Sequence, residues 1–89
     1  MTQDELLEHI NEMNPKALVP TGMEEAVIGY VERFGQEPLV LLDKKKCIKM
    51  LMKDMSEEEA EEYFSFNVIG AWMGEGTPCF ATLKKDVEL

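Results

Sequence analysis

The chain has 89 residues, 45% apolar and 30% charged, a balance that fits one small globular domain and excludes a disordered polar segment. Eighteen acidic against nine basic side chains leave a net charge of −9, which disfavours direct binding to nucleic acid, where clustered Lys and Arg are required. No apolar run approaches the roughly 18 residues of a membrane span, and the acidic start is unlike a basic signal peptide, so no membrane contact is expected and the expected location is the cytosol.

Residues 2–13 read as a helix. Thr2 stands at the cap with Glu5 in the capping-box position, and Leu6, Leu7, Ile10 and Met13 form an apolar stripe. Asp4, Glu5, Glu8 and Glu12 fall on the other side, and Asn14-Pro15 ends the helix, because a residue before proline is driven out of the helical region. Residues 22–34 carry two patterns. Met23, Ala26, Val27, Tyr30, Val31 and Phe34 fit a helical stripe opened by Thr21 and Glu24, yet residues 26–34 are rich in Val, Ile, Tyr and Phe, which favour strands. A turn at residues 35–38 leads into the apolar run 39–42, so a β-hairpin is the reading taken.

Residues 43–55 predict a second helix, capped by Asp43, with Cys47, Ile48, Leu51, Met52 and Met55 inward. Lys45, Lys49 and Lys53 line its opposite face and, with Lys44 and Lys46, form a basic surface read as a solvated face. Ser56 and Glu59 form a capping box for a third helix of about four turns, with Glu57, Glu58 and Glu59 at its positive end. Its stripe is Ala60, Tyr63, Phe64, Val68, Ala71 and Trp72, which puts Trp72 in the core. Asn67 falls on the same stripe and is expected to be buried, bonded to the backbone of a neighbouring loop, or else to contact a ligand at a pocket mouth. Gly70 within this helix is expected where another backbone packs close.

Residues 74–78 predict a turn and residues 79–83 a final strand, with a frayed tail over 84–89. The Gly-Glu-Gly run lacks the Lys-Ser/Thr ending of a phosphate loop and precedes a strand instead of a helix. The two cysteines, Cys47 and Cys79, read as small core hydrophobes, and their spacing fits no zinc motif. The expected fold is therefore α+β: a single domain over 1–89, with an N-terminal helix at 2–13, a core at 20–83, and a small antiparallel sheet of about three strands packed by two or three helices.

The runs Glu32-Arg33-Phe34-Gly35, Leu42-Asp43 with Lys46-Cys47-Ile48, and Met55-Ser56-Glu57-Glu58-Glu59-Ala60 resemble a family of small proteins found in tailed phages and prophages, mostly labelled hypothetical. The likeness is densest over residues 66–78, where the family pattern keeps a Phe-Asn pair (Phe66, Asn67), a Gly-Ala-aromatic run (Gly70, Ala71, Trp72) and a Gly-Glu-x-Thr-Pro turn (Gly74, Glu75, Thr77, Pro78). The similarity covers residues 20–80; where many members have an aromatic before the aspartate, this chain has Leu42. The resemblance implies a phage setting in a bacterial host and brings no established reaction.

Three functions are compatible with the residues. The leading one is a small acidic accessory protein that binds a host or phage macromolecule, most simply a protein, through its acidic helix faces or the turn from Trp72 to Thr77. The alternative is a small-molecule or nucleotide binder in which Arg33, Asn67, Trp72, Glu75 and Thr77 converge at one end of the sheet. The third is a structural or assembly component that self-associates. No catalytic residue, cofactor or metal site is assigned: His9 lies on the polar side of the first helix, and neither Ser56 nor Ser65 has a local base partner.

Overall fold

The computed structural model describes residues 1–88; Leu89, the end of the expected tail, lies outside the described residues. Three α-helices and a three-stranded mixed sheet make a small α+β fold. Helix α1 spans Gln3–Met13 and is held at its start by the Thr2–Glu5 capping box. The Thr2 N–H bond is also the main reason the Glu5 carboxyl titrates below its ordinary value. Ile10 on the expected stripe is buried in the core, so α1 belongs to the same hydrophobic unit as the sheet. The side chain of Gln3 donates to the carbonyls of Glu24 and Val27, tying the start of α1 to a 3₁₀ turn at Glu24–Ala26.

Strand β1 spans Val27–Arg33 and β2 spans Gln36–Asp43, so the strand reading of the ambiguous stretch is the one the fold adopts. They pair antiparallel, from Val27 opposite Leu42 to Arg33 opposite Gln36. Gly35 takes φ of 80°, a left-handed conformation that closes the two-residue turn and leaves Phe34 fully exposed at its tip. β2 is the central strand, and Leu39, Val40 and Leu42 are all buried.

Asp43 ends β2 and caps α2, Lys44–Leu51, by accepting from the N–H groups of Lys45 and Lys46. This helix is shorter than expected. Lys53 and Asp54 bond to carbonyls three residues back, the tightened geometry of a helix end, so Met52 is exposed and Lys53 lies off the helix. Lys44 is half-buried and places its ammonium 5.7 Å from the centre of the Phe64 ring. Helix α3, Glu57–Tyr63, starts at the expected Ser56–Glu59 capping box.

Beyond Tyr63 the sequence expectation fails. Phe64–Val68 forms a π-helical turn, closed by the Ile69 N–H donating to the Phe64 carbonyl five residues back at 2.9 Å. Ser65 donates its hydroxyl to the Glu61 carbonyl at 3.0 Å, a back-bond that competes with the helical ladder and accompanies its widening. The helical segment then stops. A Cβ at Gly70 would lie 2.9 Å from the Ser65 carbonyl oxygen, so the close backbone there is the π turn itself and not a separate loop.

Strand β3, Cys79–Ala81, runs parallel to β2, with Leu41 opposite Cys79 and Asp43 opposite Ala81. The sheet is therefore mixed and not wholly antiparallel. The cause is the route of residues 69–78, which return the chain to the hairpin end of β2, where the Leu18 N–H donates to the Gly76 carbonyl at 3.0 Å. From that end β3 can only run alongside β2 in the same direction. The long excursion through residues 44–78 satisfies the crossover a parallel pair requires. Phe80 packs edge-on against Phe64, with ring centres 5.1 Å apart, and locks β3 to the core of Ile10, Val27, Val40, Leu42, Cys47 and Val68. The expected fray after Lys84 is instead a 3₁₀ turn, Lys84–Asp86, joined to α2 by Lys45 and Asp86 at 3.6 Å.

Candidate functional site

The π turn and the loop after it decide which side chains face outward. Ala60, Phe64 and Val68, spaced four apart, point into the core. Phe66 stands opposite that line and is 75% exposed. Tyr63 and Ile69, on either flank, are each about half exposed. Trp72, expected in the core, is 78% exposed, because the helix that would have carried it inward ends at Val68. Asn67, expected buried and bonded, lies inside the π turn and is exposed. The outward side of residues 63–73 is thus built from Tyr63, Phe66, Ile69, Trp72 and Met73.

Loop 69–78 is internally braced. Gly74 takes φ of 92°, and Thr77 accepts from the Met73 N–H at 2.8 Å while its hydroxyl donates to the Gly74 carbonyl at 2.6 Å. Thr77 therefore holds the loop that presents Trp72 and Glu75. Gly76 is buried against the connector after α1, where a Cβ would overlap the Lys16 carbonyl.

Trp72 and Glu75 line one groove of about 450 Å³ together with Lys16, Glu37 and the hairpin turn at Gly35 and Gln36. Asn14 forms part of its wall, 3% exposed, with its amide nitrogen donating to the Pro38 carbonyl and its oxygen accepting from the Lys16 N–H. Of the five residues assigned from sequence, Trp72 and Glu75 meet here, and Thr77 supports them from within the loop. Arg33 lies on the neighbouring hairpin and donates to Gln36 at 2.7 Å, while Asn67 is not part of the groove wall. Glu37 and Glu75 share the lining with Lys16 and the Trp72 indole, so two carboxylates face one ammonium and the groove keeps a net negative charge.

A second groove of about 480 Å³ separates α2 from α3 and the C-terminal turn, where Lys44, Lys45 and Lys49 face Glu57, Glu61 and Asp86. Its charges largely answer one another. Cys47 is buried beneath α2, and burial first, then the Asp43 carboxylate, push its thiol up to about 11. It is a packed core thiol at neutral pH.

The sequence reading put Tyr63 in the core stripe and missed Phe66 and Ile69 as surface residues, and it missed Asn14, Lys16 and Glu37 as groove residues. A signal for Phe66 was present: it is the one aromatic between residues 60 and 72 that falls off the apolar stripe. Among the described residues no helix is long and apolar enough to cross a membrane. Comparison with protein-family models, curated proteins and solved structures finds no match to this chain.

Proposed function

We propose that this chain acts by binding a macromolecular partner, as a small acidic accessory protein of tailed-phage type working in the cytosol of a bacterial host. The observation that carries the reading is the outward apolar face of residues 63–73. Phe66 and Trp72 are three-quarters exposed on a chain with a net charge of −9, and exposed aromatics grouped in one short segment mark interaction surfaces. The phage setting is supported by the run from Phe66 to Pro78 that resembles small phage proteins. The test is affinity capture from bacterial lysate, with and without phage infection, using the wild type and Phe66→Ser. A stoichiometric protein retained by the first and lost by the second supports the reading. An eluate identical for both removes the face from it.

A second reading is favoured by one feature, the meeting of Trp72 and Glu75 in a single groove. A small cationic or aromatic ligand would stack on the indole there. Native mass spectrometry of protein purified from its host reads this directly: a bound small molecule that Trp72→Ala releases would move the function to the groove.

A further inference from the structure

The face at residues 63–73 has a charge pattern as well as an apolar one, and the pattern specifies its occupant. On the N-terminal side stand Glu58 and Glu62 of α3, both exposed, while Glu61 of the same helix faces the lysines of α2 across the second groove. On the C-terminal side stands Glu75, exposed at the loop tip, and across the groove from it Glu37. Among the described residues the one ion pair is Lys45 with Asp86, so none of these carboxylates is held in a salt bridge. Along the chain the exposed apolar residues from Tyr63 to Met73 are thereby flanked by carboxylates on both sides, with Lys16 as the one cation lining the groove that holds Trp72. We infer that this face docks a segment of a partner protein whose aromatic or aliphatic side chains cover Phe66 and Trp72 and whose Lys or Arg residues meet Glu62 and Glu75. This inference rests on the binding function proposed above and names the chemistry of the partner.

Other occupants fit worse. A second copy meeting the face about a two-fold axis would bring each acidic border against another acidic border, on molecules that each carry a net charge of −9. Nucleic acid and anionic lipid are repelled by the same carboxylates. A basic amphipathic segment is attracted at long range by the charge, which speeds encounter, and is retained by the aromatic centre. Trp72 contributes to both, since it lines the groove that also holds Glu37 and Glu75, and an indole accepts a guanidinium or ammonium as well as an apolar side chain.

The experiment is selection from a random peptide display library on the immobilised whole chain, run in parallel on three proteins: the wild type, Phe66→Ser/Trp72→Ser, and Glu62→Lys/Glu75→Lys. All the changed positions are exposed, and circular dichroism of each variant confirms the fold before selection. The expected result is a wild-type pool enriched in peptides that combine aromatic or aliphatic residues with Lys and Arg. The first variant should lose that pool, and the second should lose its basic residues while retaining the apolar ones. One selected peptide, made synthetically, should bind roughly tenfold or more weakly to Phe66→Ser, as for a hot-spot residue. Its affinity should also fall as salt is raised. A wild-type pool of apolar peptides without Lys or Arg overturns the inference and leaves the binding function in place. A pool no different from that of Phe66→Ser/Trp72→Ser sinks both. Self-association of the wild type abolished by Phe66→Ser identifies a second copy as the occupant and also overturns the inference.

Discussion

Asn14 donates from its side-chain nitrogen to the Pro38 carbonyl at 2.9 Å, joining the end of α1 to the central strand across 24 residues of chain. The same carboxamide accepts from the Lys16 N–H at 3.1 Å, so one buried side chain fixes both where α1 stops and where the connector leaves it. Asn14→Leu should cost about 1–3 kcal/mol, the penalty for leaving buried polar groups unmade. Asn67→Ala, at an exposed position, should stay within about 0.5 kcal/mol of wild type. Urea unfolding of the two variants separates the asparagine that holds the fold from the one that the helical pattern singled out.

Phe64 and Phe66 differ as sharply, two residues apart. Phe64 is 1% exposed and packs on Phe80, whereas Phe66 is 75% exposed. Phe64→Ala should cost about 3–5 kcal/mol, enough to unfold a marginal small domain. Phe66→Ala should leave the unfolding midpoint almost unchanged, and the emission of Trp72 should be that of a water-exposed indole, readily quenched by acrylamide.

At Gly76 the connector backbone lies so close that a methyl group would overlap the Lys16 carbonyl. Gly76→Ala must push loop 69–78 off the connector, at a cost of about 1–3 kcal/mol. Gly29→Ala, with open space around the position, is the control and should be close to neutral. Because the same loop carries Trp72 and Glu75, Gly76→Ala should also weaken any ligand of the groove. Thermal unfolding and titration of the two variants check both effects.

The Cys47 thiol links stability to alkaline pH. Unfolded, the thiol ionises near its ordinary value of 9.0; folded, it does so only at about 11. Its contribution is therefore fully present below pH 9 and is lost as pH rises through 11, because only the unfolded chain gains the favourable thiolate. The slope of stability against pH over that range should be shallower in Cys47→Ala. In the native wild type at neutral pH, a thiol reagent should label half-buried Cys79 ahead of Cys47.

The parts of this fold that were legible in the sequence are those fixed by neighbours in the chain. Thr2 with Glu5, Asp43 with the two N–H groups that follow, and Ser56 with Glu59 each satisfy a helix start within a few residues. The β-branched and aromatic residues of β1 likewise revealed the hairpin. What stayed hidden depends on contacts between distant segments or on a change of helical period. Asn14 read only as a helix stop, since its partner Pro38 is not adjacent in sequence. The π turn at Phe64–Val68 broke the 3.6-residue period that had placed Asn67 and Trp72 inside, and with it went the buried role assigned to each. The direction of β3 follows from the route of residues 69–78 back to the hairpin end of β2, where Gly76 bonds to Leu18, and no local pattern announces that route. For the candidate site, the grouping of Trp72 with Glu75 was legible because one short loop carries both.

The parallel pairing of β3 with β2 has a consequence for the order of biosynthesis. A ribosome releases α1, the hairpin and both later helices before residues 79–81 emerge, and until then the Leu41–Asp43 edge has no strand beside it and Phe64 lacks Phe80. Closing the sheet brings together segments separated by residues 44–78, so it is a late and slow event compared with forming the hairpin. A nascent or proteolysed chain ending before Cys79 presents an open apolar edge, the feature through which partly made molecules add to one another.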